Sequence, residues 1–473
     1  MSKFYLTTAI PYVNAKPHLG HALEYVIADV IHRFQEINGK DTFFVSGADE
    51  NSLKNVQAAE KEGISPKEFL DKYAQIFKEF YLLLDVHLDE FRRGTDEQLH
   101  WPGVQNLWEK ANTNGDIYKK SYTGLYCIGC EAFKTQDELI DGKCPNHNKE
   151  PELIKEENYF FKLSNYQSKL TKLIESDELK IYPQKRKNEV LAFIKAGLED
   201  FSISRSNDRA RGVGVPVPND DTQKMYVWFD ALNIYMTGIG YGYDSQLWKK
   251  YWPADLHVIG KDITRFHAIY WPAMLLSAKL PLPKSILVHG FITSGGVKMS
   301  KSLGNVIDPY ELITKYGVEP LRYFLLSQIP TLDDGDFTIE QFENIYTAHL
   351  SNGLGNLVSR VAKLCERSGF DFEIDQAPGF RSQVTEQINT FQLHLALEAI
   401  WKRISQVDQL IDERQPWKLE GQPLKSVLQT CVAHLRQIGF ELQPFLPRTA
   451  NTITSHFRGP KIAAATPLFP RLK

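Results

Sequence analysis

The sequence lacks the features that define several large protein classes. It has five cysteines in 473 residues, so it is not a disulfide-rich secreted domain. No apolar run is long enough to cross a membrane, and the first residues do not form a signal peptide. Its 55 basic and 58 acidic residues give a net charge of −3, so it is not a polycation. We therefore expect a cytoplasmic protein with no membrane partner, which contacts any nucleic acid through local patches.

Three of the scarce cysteines lie close together in the sequence. Cys127 and Cys130 form one Cys-x-x-Cys pair, and Cys144 is followed by His147 at the same spacing. Each pair lets two ligands of one tight turn reach the same ion. Three thiolates and one imidazole fill all four positions around zinc, which predicts one structural Zn²⁺. The alternative is four unrelated residues.

The first forty residues predict a strand, a loop and a helix. Residues 3–10 are rich in aromatic and β-branched side chains, and the apolar residues between 19 and 34 have the spacing of one helix face. His18 and His21 lie three apart on the first turn, with Gly20 between them. A helix N-terminus with two imidazoles favours phosphate binding, whereas the alternative is two surface histidines beside a helix cap.

A pair of carboxylates follows the second predicted strand, residues 42–48. Asp49 and Glu50 would lie at the carboxyl end of that strand, where ligands bind in doubly wound sheets. There they could hold an amino group or a metal ion. They could equally cap the next predicted helix, residues 52–62.

Strands and helices alternate again between residues 225 and 289, which predicts a parallel α/β sheet. Trp228, Ala231 and Tyr235 could line a cavity, although residues alone favour ordinary core. The Gly-rich segment 290–302 carries Lys298 and Lys301. Such a loop can close over a polyphosphate, or it can be an exposed basic loop.

The rest of the chain is predicted to be helical, with bundle helices at residues 350–369, 383–410 and 424–441. Asn356, Arg360 and Trp417 lie in this region. They could stack on and hydrogen-bond to unpaired bases, or they could pack at a helix terminus.

Two of these segments resemble the signatures of class I aminoacyl-tRNA synthetases: His18-Leu-Gly-His21, and Lys298-Met-Ser-Lys-Ser302 letter for letter. Within that class the chain is most similar to the methionyl-tRNA synthetases. The resemblance implies a Rossmann-like doubly wound parallel α/β sheet, split by a zinc-binding insert and followed by an all-α anticodon-binding bundle. It implies a catalytic domain in two halves (1–113 and 225–290), the insert (114–224), a loop and stem-contact region (291–346) and the bundle (347–473).

The resemblance also implies roles for individual residues. The residues matching the catalytic signatures are His18, His21, Lys298 and Lys301. These four and Gly20, Gly260, Asp262 and His289 match the ATP site. Asp49 matches the carboxylate that holds the substrate ammonium, and the methionine side-chain pocket is matched by Tyr12, Trp228, Ala231, Tyr235, Ile263, His267 and Trp271. The readers of the anticodon are matched by Asn356, Arg360 and Trp417.

The implied reaction activates methionine with ATP, giving methionyl-adenylate and pyrophosphate, and then transfers methionine to the 3′ end of initiator and elongator methionine tRNA. Magnesium would accompany ATP. Because the sequence ends soon after the bundle, we expect a monomer. The chain departs from the family at Asn51-Ser52, where His-Gly is common, and at Leu232 and Asn233 in a variable part of the pocket motif.

Three alternatives remain at this stage. Sister synthetases for leucine, isoleucine or valine carry a large editing insert, for which residues 114–224 leave little room. The cysteine enzymes place zinc ligands near the first signature, where this chain has no cysteine. A non-catalytic RNA-binding relative would not need both signatures intact, and a nucleotidyltransferase of similar fold would lack the helical bundle.

Overall fold

The computed structural model of the chain describes residues 2–128, 132–145, 148–299, 307–373 and 378–472. The chain folds as two compact units. The first comprises residues 1–17 and 39–288, and the second comprises residues 18–38 and 289–473. In the described part of the chain, no helix is both long enough and apolar enough to cross a membrane.

The first elements alternate as the sequence predicts. They are β1 (Lys3–Thr8), α1 (Leu19–Ile37), β2 (Asp41–Ala48), α2 (Leu53–Glu62), α3 (Pro66–Leu83), β3 (Glu90–Arg93) and α4 (Trp101–Thr113). Helix α1 belongs to the second unit and the other elements to the first. Helix α3 begins with a reciprocal cap between Ser65 and Glu68, which supplies partners for N–H groups that a helix start leaves unpaired.

The segment that follows is rich in short strands. Its elements are β4 (Ile117–Cys127), β5 (Ala132–Lys134), β6 (Glu152–Phe161), α5 (Gln167–Glu175), β7 (Lys180–Tyr182), α6 (Gln184–Ala196), β8 (Phe201–Ser202), β9 (Ser204–Ser206), α7 (Asn207–Ala210), β10 (Pro216–Val217) and β11 (Asp220–Met225). Strands β5, β4, β6 and β8 form one antiparallel sheet, and β10, β11 and β9 form another.

The first unit ends with the second half of its main sheet. Its elements are α8 (Val227–Ala231), α9 (Ile234–Thr237), α10 (Ser245–Tyr251), β12 (Leu256–Gly260), a π-helical turn (Phe266–Tyr270), α11 (Trp271–Ser277) and β13 (Ser285–His289). The six-stranded sheet has the order β3-β2-β1-β12-β13-β7, and the pairs β3–β2, β2–β1, β1–β12 and β13–β7 are parallel. The strand order reverses between β1 and β12, the position where such sheets bind ligands.

The second unit is mostly helical, as predicted. After His289 its elements are β14 (Ile292–Ser294), β15 (Val297–Lys298), α12 (Pro309–Tyr316), α13 (Val318–Ser327), β16 (Gly335–Asp336), α14 (Ile339–Ile345), a π-helical segment (Tyr346–Gly355), α15 (Asn356–Ser368), α16 (Ser382–Asn389), α17 (Leu393–Arg414), α18 (Gly421–Leu442) and α19 (Pro447–His456). The helix predicted over residues 383–410 is two helices. They are separated at Phe391, whose φ of 59° lies in the left-handed region.

A buried ion pair anchors α1 within the second unit. Arg322 of α13 and Asp29 of α1 are both fully buried, and their side chains meet at 2.6 Å. Arg322 also donates to the backbone carbonyls of Phe445, at 2.9 Å, and Pro444, at 3.2 Å. Arg33 donates to the same Asp29 oxygen at 2.8 Å. A buried pair of this kind needs these extra hydrogen bonds to offset the cost of removing both charges from water.

Replacing Arg322 tests how much this anchor contributes to stability. Arg322→Met removes every donor but keeps an unbranched side chain, so Asp29 stays buried with fewer partners. We expect a loss of about 3–5 kcal/mol, measured by chemical denaturation. The control is Lys67→Ala, which breaks the pair between Lys67 and Asp71, whose side chains are 86% and 42% exposed. It should cost less than about 1 kcal/mol, and equal losses for the two variants would contradict this account.

Candidate active site

The two signature histidines cap helix α1. Nδ1 of His18 accepts a hydrogen bond from the backbone N–H of Gly20 at 3.0 Å, and Nδ1 of His21 accepts from the backbone N–H of His18 at 3.2 Å. Their ring centres lie 3.9 Å apart, as expected for residues on one side of a helix turn. Because each Nδ1 is an acceptor, each neutral ring carries its hydrogen on Nε2. A Cβ on Gly20 would come within 2.8 Å of the His18 ring, so glycine makes room for this cap.

His21 is held in its neutral form. Burial lowers the pKa of its imidazole well below the ordinary value, and the neighbouring rings of His18 and His289 lower it further. At neutral pH His21 is therefore an N–H donor rather than a cation. Such a donor can hydrogen-bond to a phosphate oxygen and stabilise negative charge that develops on it.

His289 faces an acceptor on each ring nitrogen. Its Nε2 lies 2.9 Å from a carboxylate oxygen of Glu24, and its Nδ1 lies 2.7 Å from the carbonyl of Gly290. Both side chains are buried. Glu24 lies one helical turn after His21, so this pair belongs to the same end of α1.

The other residues predicted to bind ATP are distributed along the chain. Gly260 ends β12 and is buried, and Asp262 lies in the following helical turn and is exposed. Lys298 lies in β15, opposite Thr293 of β14. Lys301 lies outside the described residues.

An aromatic cluster surrounds Tyr235 in the first unit. The hydroxyl of Tyr235 lies 2.7 Å from Nε2 of His267, and Nδ1 of His267 lies 3.0 Å from the carbonyl of Ile263. Nδ1 must donate to that carbonyl, so Nε2 accepts from the tyrosine. Burial lowers the pKa of His267 to about 4, which keeps this ring neutral. The ring centres of His257 and Trp271 lie 4.5 Å and 6.3 Å from that of Tyr235.

Trp228 forms a second part of the same cluster. Its ring stacks on Phe266 at 3.9 Å with an interplanar angle of 6°, and it meets Tyr12 nearly edge-on at 6.3 Å. Ala231 lies in the same short helix and is buried. Neither indole N–H of Trp228 and Trp271 has a hydrogen-bond partner within the described ranges, although both atoms are buried. Buried donors of this kind are unusual and mark a place where a ligand or water can bind.

Asp49 is buried in a loop whose backbone is held on several sides. Asp49 is only 2% exposed. The backbone N–H of Asp49 donates to the backbone carbonyl of Pro11 at 2.9 Å. This bond is part of an isolated parallel β-bridge between Tyr12 and Asp49. The side-chain amide of Asn55 donates to the carbonyls of Asp49 and Glu50, both at 2.9 Å. The backbone that carries the Asp49 carboxylate is therefore held at a fixed position.

The neighbouring carboxylate, Glu50, has a structural role. Arg93 donates to its Oε1 at 2.8 Å, and the backbone and hydroxyl of Thr95 donate to its Oε2 at 3.0 Å and 2.6 Å. Glu50 is fully buried and this set of donors compensates its charge. Of the two carboxylates, Asp49 is thus the candidate for binding a cationic ligand.

Asn51 and Ser52, two of the residues that depart from the resemblance, have clear structural roles. Asn51 is buried and its amide donates to Gly94 and to Asp230, at 2.9 Å and 2.6 Å. Ser52 caps α2 by accepting from the backbone N–H of Lys54. The alternative that Asp49 and Glu50 cap this helix is therefore wrong.

The predicted anticodon readers come together in the second unit. The guanidinium of Arg360 lies 5.4 Å from the centre of the Trp417 ring and donates to Asp412 at 2.7 Å. Asn356, at the start of α15, is exposed one turn before Arg360. Trp417 is 54% exposed. This surface offers stacking and hydrogen bonding side by side.

Two of the four predicted zinc ligands, Cys130 and His147, lie outside the described residues. Cys127 ends β4, and Cys144 opens a turn in which the N–H of Asn148 donates to its carbonyl at 2.8 Å. Both cysteines are buried. The described residues alone contain no group of three or more His, Cys, Asp or Glu placed to hold a metal ion.

Sequence reasoning missed several residues of these clusters. Phe266 directly precedes His267, and Glu24 lies one turn after His21. Their closeness in sequence to predicted site residues could have identified both. Arg93 and Thr95 could not be found in this way, because only the pairing of β2 with β3 brings them to Glu50.

The neutral state of His267 gives stability a defined pH dependence. Between pH 6.5 and about 4 the unfolded chain binds a proton at this residue that the folded chain does not, so stability falls as pH falls through this window. We expect a contribution of about 2 kcal/mol between pH 7 and pH 5. The measurement is denaturation at both pH values, and His267→Gln should show a smaller difference than the parent. Equal pH dependence in both proteins would refute the assignment.

Comparison with known proteins shows the family to which the chain belongs. The chain matches the family described as tRNA synthetases class I (M) over residues 4–152 and 138–362. A methionine–tRNA ligase of Brucella suis is 42% identical over 471 residues, which cover 95% of this chain and 91% of the relative. The ligase of Clostridium acetobutylicum is 41% identical and is covered to 78%, with 99% of this chain aligned.

Solved structures show the same relationship. The Mycobacterium tuberculosis methionyl-tRNA synthetase in complex with methionyl-adenylate matches with a TM-score of 0.92 at 35% identity, covering 100% of both chains. Its apo form matches with a TM-score of 0.85 at 32% identity, covering 100% of this chain and 99% of that one. The predicted α/β sheet with a helical C-terminal region is confirmed. By sequence and by fold, the chain belongs to the methionine–tRNA ligases, the class I aminoacyl-tRNA synthetases that join methionine to tRNA.

Proposed function

We propose that Asp49 and the aromatic cluster around Tyr235 and Trp228 bind methionine in this ligase. The proposal rests on a buried carboxylate, carried by a loop whose backbone is held in place, in the same unit as two buried indoles whose N–H groups have no hydrogen-bond partner in the part of the chain that the structure describes. A carboxylate attracts the ammonium of an amino acid, and aromatic rings suit a polarizable thioether. Ile263, His267 and Trp271 complete the proposed side-chain pocket together with Tyr12 and Ala231.

The first step needs no general base. The α-carboxylate of methionine is ionised at neutral pH, and its oxygen attacks the α-phosphorus of ATP. The bond to the β-phosphate breaks and pyrophosphate leaves with the bonding electrons. The protein's task is to align the reactants and to stabilise the charge that develops on the phosphates.

The proposed phosphate donors are the Nε2–H groups of His18 and His21, whose tautomers the α1 cap fixes. Lys298 and Lys301 supply positive charge by analogy with the family, and Gly260, Asp262 and His289 bind the nucleoside. Mg²⁺ accompanies ATP as a phosphate-bound counter-ion and neutralises part of its charge. In the second step a ribose hydroxyl at the tRNA 3′ end attacks the adenylate carbonyl, and AMP leaves.

Asn356, Arg360 and Trp417 are proposed to bind the anticodon of methionine tRNA, initiator and elongator alike. Trp417 supplies a stacking face, and Arg360 and Asn356 supply hydrogen bonds to base edges. The exposure of Trp417 beside Arg360 supports this role.

We infer a structural Zn²⁺ held by Cys127, Cys130, Cys144 and His147. The two described ligands are buried thiols, one at the end of β4 and the other accepting a backbone hydrogen bond at its carbonyl from Asn148, and thiolate and imidazole are the donors that zinc prefers. When bound, zinc would tie the two turns together and contribute to folding of the insert. The domain boundaries, the monomeric state and the cytoplasmic location stay predictions.

Asp49→Asn tests the proposed ammonium site. Removing the charge of this carboxylate should raise the KM for methionine by about 10- to 100-fold in ATP–pyrophosphate exchange, because hydrogen bonds to charged groups contribute about 1.5–3 kcal/mol. The matched control is Asp221→Asn, an exposed carboxylate of the same unit. If Asp49→Asn leaves the KM for methionine at the control value, Asp49 does not bind the ammonium.

Trp417→Ala separates tRNA recognition from activation. Loss of one stacking face should weaken tRNA charging by about 10-fold, since stacking contributes about 1–3 kcal/mol per base. Methionine-dependent exchange should stay unchanged. Leu395→Ala, which alters another exposed apolar residue of the second unit, is the control. Equal charging by Trp417→Ala and the parent would exclude Trp417 from the tRNA surface.

The zinc site is tested by metal content. We expect one zinc ion per purified chain, lost in Cys144→Ser together with a lower melting temperature. Cys365→Ser should keep the metal, because burial raises the pKa of the Cys365 thiol to about 12 and keeps it protonated. Absence of zinc from the parent protein, or its retention in Cys144→Ser, would refute the assignment.

A further inference from the structure

We infer that Asn51, Asp230 and His100 form a buried hydrogen-bonded chain that fixes the spacing between Asp49 and the aromatic pocket, and thereby sets the length of amino-acid side chain that is accepted. None of these three residues is proposed to touch a substrate. They are positioning residues, and the inference rests on the proposed methionine site.

The chain of hydrogen bonds is continuous. The side-chain amide of Asn51 donates to Oδ2 of Asp230 at 2.6 Å, and Nε2 of His100 lies 2.7 Å from Oδ1 of the same carboxylate. The other ring nitrogen of His100 lies 2.8 Å from the hydroxyl of Thr237. Asp230, His100 and Thr237 are at most 1% exposed, and Asn51 is 8% exposed. Water therefore does not screen these bonds.

Three of these hydrogen-bonded residues each lie two positions after a residue of the proposed site. Asn51 is two residues after Asp49, and Asp230 is two residues after Trp228 in α8. Thr237 is two residues after Tyr235 in α9. The hydrogen bonds thus connect the ammonium-binding loop to both helices that carry pocket walls. His100, which precedes α4, is the hub that faces both helices.

The chemistry of Asn51 suits this position. Its amide nitrogen carries two hydrogens and uses them on two acceptors, Asp230 and the carbonyl of Gly94 at 2.9 Å. Gly94 in turn donates its N–H to Ala48 at 3.1 Å. A neutral imidazole nitrogen carries only one hydrogen, and an aliphatic side chain offers none. Asn51 can therefore hold the Asp49 loop to β3 and to α8 at the same time.

Loss of the Asn51 donor leaves one oxygen of a buried carboxylate without its partner. Asp230 must then move toward another donor or toward water, because an unpaired buried charge is costly. Trp228 and Ala231 would move with it, since they flank Asp230 in one short helix. The distance from Asp49 to the pocket wall would no longer be fixed, and discrimination by side-chain length would fall.

The test compares methionine with ethionine, which is one methylene longer, in ATP–pyrophosphate exchange. Asn51→Leu should raise the KM for methionine about 10-fold, keep the KM for ATP within about twofold, and lower the preference for methionine over ethionine about 10-fold or more. Thr237→Val preserves side-chain volume and breaks the far end of the chain. Thr237→Val should also lower the preference for methionine over ethionine. It replaces Asn51→Leu as the test variant if Asn51→Leu does not fold.

Ser52→Ala is the matched control. It lies in the same loop and loses the helix-capping bond that its hydroxyl accepts from Lys54 N–H, and it is not a member of the hydrogen-bonded series Asn51, Asp230 and His100. It should lower stability without changing the preference between the two amino acids. If Ser52→Ala changes the preference as much as Asn51→Leu does, the effect is general loosening and the inference is wrong.

Asp49→Asn distinguishes failure of this inference from failure of the proposed site. If Asp49→Asn raises the KM for methionine while Asn51→Leu and Thr237→Val keep the parental preference, the positioning role is wrong and the site stands. If Asp49→Asn has no effect on that KM, the proposed methionine site is wrong and the inference falls with it.

Discussion

A buried carboxylate is costly unless donors surround it, and the loop after β2 is built around this constraint. Glu50 is fully compensated by Arg93 and Thr95 from the neighbouring strand end. Asn51 is engaged with Asp230, and Ser52 caps the next helix. Every residue from 50 to 52 therefore has an internal role. These roles hold the loop in place beside Asp49, the carboxylate that we propose binds the ammonium of methionine.

At helix α1, too, structural hydrogen bonds prepare side chains for a proposed ligand contact. His18 and His21 satisfy the first N–H groups of the helix through Nδ1, and this leaves the hydrogen of each neutral ring on Nε2. The helix cap thus selects the tautomer that can donate to phosphate. Farther along the helix, Asp29 pairs with the buried Arg322 and Arg33. The proposed ATP-binding end and the structural end of α1 are separate parts of one helix.

Much of the fold could be predicted from local patterns. The strand, loop and helix at the start of the chain follow from apolar spacing, and the capping pair of Ser65 and Glu68 follows from residue type. The division of one predicted bundle helix at Phe391 could not, because apolar residues on both sides, Ile388 and Leu393, continue the helical pattern.

The site was predictable where its residues are neighbours in sequence. The pairs His18 with His21 and Asp49 with Glu50 are of this kind. The supporting contacts that strand pairing and helix packing add around the site were not found. Glu50 with Thr95 and Asn51 with Asp230 are separated by 45 and 179 positions, and no periodicity connects them. The pairing of β7 with β13 at the edge of the main sheet is another such case, since β7 lies within the segment predicted as an insert.

The most direct test of a preformed methionine site is a pair of crystal structures of this chain, one without ligand and one with methionine. The account predicts that the Asp49 carboxylate lies about 3 Å from the methionine ammonium, and that the Cα atoms of residues 48–52 shift by less than about 1 Å between the two structures. A loop that moves by more than about 2 Å, or an ammonium bound to a different carboxylate, would contradict it.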